Sequence, residues 1–174
     1  MVRYIHHQLM GVTMAVCASA VSAAVAFGVR GIPATEDSHG RWVFLFLLGA
    51  CALGGLLGAS RIPHISEVRT FETAVPLNDP EAVLPGDDTV RHHLVDRSSF
   101  LLFLVPSLIA ALFWSPWAAL YPLPLSAEWL VRACVAARWE RRHGLLLWGG
   151  AVKEQPLGKG QLLYSSVRPV SPTR

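Results

Sequence analysis

"SAEWLVRACVAARWERRHG", residues Ser126 to Gly144, sets a carboxylate and a guanidinium inside an otherwise apolar helical stretch. The number of membrane crossings turns on it. Ser126 as an N-cap and Gly144 as a stop would let it form a helix lying on the bilayer surface. At 100° per residue, however, Glu128 and Arg132 fall only about 40° apart, while Arg138, Glu140, Arg141 and Arg142 scatter around the axis. A surface helix needs one broad polar face. This one has a narrow polar strip in an apolar cylinder and then a charged end, the pattern of a crossing helix that reaches water.

The residues just upstream require that crossing. Ser98 to Ala127 is a run of 30 uncharged residues, which as one helix would extend about 45 Å, too long for an untilted crossing of a core about 30 Å thick. Pro106, Pro116, Pro122 and Pro124 also argue against a single rod. Two crossings need roughly 40 residues, so the second must extend to about Trp139. The reversal belongs at "FWSPW", Phe113 to Trp117, where Ser-Pro favours a turn and the tryptophans suit an interface.

Two further apolar blocks, Gln8 to Val29 and Trp42 to Ser60, precede this pair. With 52% hydrophobic and 16% charged residues and a mean hydropathy of +0.40, the chain has the composition of a protein whose solvent is a bilayer. "MVRYIHH" before the first block and "ASAVSA" within it imitate a secretory signal, but the block continues to Phe27 and Gly28 without a polar break. It is read as a retained helix.

The expected fold is therefore an all-α membrane protein with four transmembrane helices arranged as two hairpins. Residues 1–30 form the N-tail and first helix, 41–60 the second, 61–97 a cytoplasmic loop, 98–115 the third helix, 117–139 a proline-kinked fourth, and 140–174 a cytoplasmic tail with a disordered end. Thirteen basic residues then lie inside and two outside when both termini are cytoplasmic, against ten and five for three helices with an external N-terminus. The expected location is the plasma (inner) membrane, multi-pass.

Small residues predict how the first hairpin packs. Gly11, Ala15, Ser19 and Ala23 form one line, and Ala50, Gly54 and Gly58 another, so the two are expected to face each other. Cys17, Cys51 and Cys134 stand singly, without ligand or disulfide spacing, and are expected as small buried hydrophobes.

Four groups of residues could carry chemistry. Glu128 is the sharpest, because a charge near the centre of a membrane helix costs about 2.5–3.5 kcal/mol; Arg132, one turn on, offsets part of that. Arg138, Arg141 and Arg142, between Trp139 and Trp148, read as an anchor to anionic lipid headgroups. Asp88, His92 and Asp96 would align on one helical face with His93 beside them, a weak metal pattern better explained by a short capped helix. "GKG" at Gly158 to Gly160 lacks the spacing of a phosphate loop. No cofactor is expected, nor nucleic acid, since the basic residues flank membrane segments.

Residues Ile65 to Val75 alternate weakly, as one short strand or extended segment would. The loop is too small for its own core and is expected to pack with the tail, whose runs Leu145 to Trp148 and Gln161 to Val167 read as a hairpin.

Three function classes fit. A scaffold or accessory subunit of a membrane complex, contacting another membrane protein or a second copy of itself, needs no special chemistry and is the expected reading. An oligomeric transport or channel component would use Glu128 and Arg132, and a membrane enzyme would use the His/Asp group of the loop.

Overall fold

The computed structural model describes residues 1–32, 38–60, 67–80, 97–152, 154–158 and 160–167. It is mostly helical. The principal helices are α1 (Tyr4–Arg30), α2 (Ser38–Ala59), α4 (Arg97–Phe113) and α5 (Pro122–His143), with a short α3 (Glu67–Glu72) between the second and third of them. Two are long and apolar enough to cross a membrane: Tyr4–Arg30, with hydropathy 2.0, and His39–Gly58, with hydropathy 1.8.

The all-α expectation is corrected by a four-stranded sheet. β1 (Val2–Arg3), β2 (Val75–Pro76), β3 (Leu145–Gly149) and β4 (Tyr164–Val167) lie in the order β1-β3-β4-β2. β3 pairs antiparallel with β1 and β4, and β2 runs parallel to β4. The tail thus forms the expected hairpin and joins both the loop and the N-terminal residues. Within the weakly alternating stretch Ile65 to Val75, Glu67 to Glu72 is helical, correcting the extended reading there, and only Val75, with Pro76 after it, forms a strand.

Side chains alternate across β3. Leu147 meets Phe71 of α3, Ala136 and Trp139 of α5, and Leu163, while Leu146 and Trp148 turn the other way with Tyr164, covered by Met1, Val75, Leu77, Val152 and Leu157. Burying an aliphatic or aromatic side chain of this kind contributes about 1.5–3 kcal/mol.

Among the main helices the size gradient runs the other way. The buried positions are mostly small, Ala15, Ala18, Ser19, Ser22 and Ala26 on α1, Ser107 and Ala111 on α4, Ala133 and Ala136 on α5, whereas Val21, Leu45, Phe46, Leu53, Leu102 and Ile109 are exposed. Close backbone approach through small residues with bulky groups outward is how helices associate in lipid. Cys17 and Cys134 depart from this gradient: both are exposed, correcting the expectation that they are buried.

The two-hairpin arrangement is corrected as well. α1 packs on α4 and α5, and α2 packs on α5, so the helices form the series α4, α1, α5, α2, in which neither α1 and α2 nor α4 and α5 share a main packing face. The expected seam between the small-residue lines of α1 and α2 is absent because α5 lies between them. Trp129 and Val131, two residues apart on α5, project about 200° apart. One ring closes on Gly11 of α1, and the other side chain closes on Gly55 of α2. Trp129 also meets Phe103 of α4 edge-on at 5.5 Å. Ala50, expected on the seam, is exposed.

Trp117 to Leu120, expected to open the fourth helix, belongs instead to a 3-10 segment, Pro116–Leu120, capped by the Ser115 hydroxyl, which accepts from the Trp117 amide. Ala118 and Ala119 bury it against Ala26 and Ala111, and Trp117 stacks at a tilt on Phe44. α5 begins only at Pro122 and continues to His143; Pro122 and Pro124 occupy its first turn, where no amide is required, so they start the helix and do not kink it. Gly144, at φ +67, ends it in the left-handed conformation, its amide donating to Glu140. The expected disordered end, residues 168–174, lies outside the described residues.

Candidate functional site

α5 carries polar groups on two of its flanks. On one, Arg132 Nη2 lies 2.5 Å from Glu128 Oε1, and its Nε lies 2.9 Å from Oε1 of Glu67 on α3. The Tyr4 hydroxyl, at the start of α1, donates to the other oxygen of Glu67 at 3.3 Å. A single guanidinium thus bridges two carboxylates, and four side chains from α1, α3 and α5 meet.

The small residues of α2 make room for them. A Cβ on Gly54 would stand 3.9 Å from Glu128, and one on Gly58 would stand 3.6 Å from Glu67. Gly54 and Gly58, expected to receive α1, instead seat the two acids. Exposure of the side chains ranges from 17% for Glu67 to 35% for Arg132. Burial pushes the Glu67 carboxyl above the ordinary carboxylate range, opposed by the Arg132 charge and the Tyr4 hydrogen bond and reinforced by Glu128. With both acids ionised the group carries one unbalanced negative charge, which a single proton removes. Chemically it can fasten the loop helix to α5 and bind a proton.

On another flank, Glu140 is 4% exposed. Arg3 Nη2 donates to its Oε2 at 2.5 Å and the Leu147 amide to its Oε1 at 3.0 Å, tying β1 and β3 to α5. Sequence reasoning placed Glu140 in a solvated charged end. Its spacing was the available signal: it lies four residues after Ala136 and seven after Ala133, both buried.

Arg138, Arg141 and Arg142 are exposed and make no ion pair among the described residues. Ala15 and Ser19, the other two expected packing positions of α1, are buried at 0% and 2%; the neighbouring Ser22 hydroxyl meets that of Ser107 on α4 at 2.8 Å.

No group of three His, Cys, Asp or Glu side chains among the described residues is placed to hold a metal. Asp88, His92, His93 and Asp96 lie outside the described residues. Glu67 and Tyr4 were not foreseen: each lies more than fifty positions from Arg132 in the chain, and nothing local marks either as its neighbour. No protein-family model, curated protein or solved structure matches the chain.

Proposed function

We propose that this chain is a small multi-pass protein of the plasma (inner) membrane, crossing four times with both termini cytoplasmic, and that it serves as a scaffold or accessory subunit of a membrane complex. The observation that carries the reading is the sheet. β1, β2 and the β3–β4 pair share one layer and must lie on one side of any membrane, so each intervening pair of helices has to return the chain to the side it left. α1 and α2 do so between β1 and β2. Between β2 and β3, α4 and α5 either both cross or both stay out. Staying out would leave Leu101, Leu102, Val105 and Ile109 of α4, all about half exposed or more, in water. The distribution of basic residues favours the cytoplasmic side for the sheet.

A scaffold is favoured over a transporter because Glu128 is already engaged: Arg132, shared with Glu67, pairs with it, and Gly54 of α2 lies beside it. α2 itself has α5 as its only main helical neighbour among the described residues, leaving Trp42, Leu45, Phe46, Leu53 and Leu56 exposed for lipid or a partner's helix.

Topology is checked by reporter fusions after Pro80, Ser115 and Arg174, expected to report cytoplasm, exterior and cytoplasm; a tail labelled from outside intact cells overturns the threading. Function is checked by gentle detergent extraction of the tagged chain, expected to recover a second membrane protein in fixed ratio. Glu128→Gln in reconstituted vesicles separates the alternative: abolished ion or substrate flux with assembly intact would favour the transport reading.

A further inference from the structure

We propose that Arg138, Arg141 and Arg142 form a binding face for the headgroup of an anionic phospholipid in the leaflet beside the sheet. The proposal rests on the membrane reading above. The three residues occupy an arc of about 100° on α5, all exposed. Three other described arginines are engaged, Arg3 with Glu140, Arg132 with Glu67 and Glu128, and Arg30 with the Ala111 carbonyl. These three have no ion pair among the described residues. Glu140, the acid next to them in sequence, points to the opposite side of the helix, where Ala133, Ala136 and Trp139 are buried with it.

What precedes the arginines on their own face identifies the occupant. Leu130, 48% exposed, and Cys134, also exposed, continue the same side of α5 back towards its start. Cys134 stands only about 6 Å before Arg138 along the axis. An exposed apolar strip running directly into unpaired guanidinium groups matches the boundary between acyl chains and phosphodiesters, and a planar guanidinium bonds two phosphate oxygens at once. A zwitterionic headgroup would leave the cationic charge unbalanced, whereas an anionic one offsets it. A soluble acidic partner would account for the arginines but not for the apolar strip that leads to them.

The test reconstitutes the full chain into phosphatidylcholine vesicles with and without phosphatidylglycerol, then counts lipids retained after detergent extraction by native mass spectrometry. Phosphatidylglycerol should be retained in preference to phosphatidylcholine, with about a tenfold or greater loss in the variant carrying Arg138→Gln, Arg141→Gln and Arg142→Gln. The corresponding triple lysine variant should keep most of the preference. Since Arg141 and Arg142 also complement the dipole at the end of α5, Arg138→Gln alone provides a variant outside the last turn and should lose part of the retention. Equal retention of both lipids, or retention unchanged in the triple glutamine variant, overturns the proposal while leaving the membrane reading standing. A chain that fails to float with vesicles of either composition overturns both.

Discussion

Arg3 Nη2 lies 2.5 Å from Glu140 Oε2, joining residues 137 positions apart. The contact fastens the first strand to the last long helix, and the second oxygen of the same acid receives the Leu147 amide. Glu140→Ala would leave a guanidinium and a buried amide without acceptors. Loss of one partner from a fully buried ion pair costs about 3–5 kcal/mol; because the Arg3 side chain is 22% exposed, the expected destabilisation is about 2–3 kcal/mol. Chemical unfolding in detergent, followed by tryptophan fluorescence, measures it. Arg3→Ala should cost a similar amount, and the double variant less than the sum.

Gly11 and Gly28 lie on the same helix but face different surroundings. A Cβ at Gly11 would stand 2.8 Å from the Trp129 ring, whereas one at Gly28 meets nothing within 4 Å. Gly11→Ala should destabilise by about 1–3 kcal/mol through overpacking, and Gly28→Ala should be neutral or stabilising by up to about 1 kcal/mol through helix propensity. Equal melting temperatures for the two variants would contradict the placement of α5 against α1.

Arg132 is shared between two acids, so its removal should be worse than the removal of either. Arg132→Gln leaves Glu67 and Glu128 without their counter-charge; Glu128→Gln leaves the Glu67–Arg132 pair in place. The expected order of melting temperatures in detergent is wild type, then Glu128→Gln, then Arg132→Gln, with Glu67→Gln added to Arg132→Gln restoring part of the loss. The reverse order of the two single variants would show that Arg132 is held by something other than these acids.

Acidity provides an independent probe of the same group. Burial raises the Glu67 carboxyl above its ordinary value of 4.5, so the folded protein keeps a proton at pH values where the unfolded chain has released it. The contribution of this residue to stability is therefore fully present below pH 4.5 and declines as pH rises through the raised value. Unfolding measured across that window should show this component of the slope in the wild type and lose it in Glu67→Gln. An unchanged slope would place the titration elsewhere.

Much of this architecture was legible because apolar runs and turn residues are local signals. The hairpin of the tail follows from short-range patterns and the joining of loop to tail from the loop's small size, whereas α5 runs past its expected end at Trp139 to the Gly144 stop that the sequence offered only for a surface helix. Helix order was not legible, because the small residues of α1 and α2 record only that something approaches closely. That the something is α5 depends on Trp129 and Val131 pointing to opposite sides of one helix, which has meaning only once the neighbours are known. For the same reason Glu128 and Arg132 could be paired from their spacing, while Glu67, brought in by a separate segment, could not.

The mixed sheet also imposes an order of events. Its central members, residues 145–149 and 164–167, are synthesised after both outer ones, so Val2–Arg3 and Val75–Pro76 have no neighbours to bond until translation has passed the last helix. A chain interrupted before that point presents two unfinished edges, a mark by which an incomplete copy differs from a finished one.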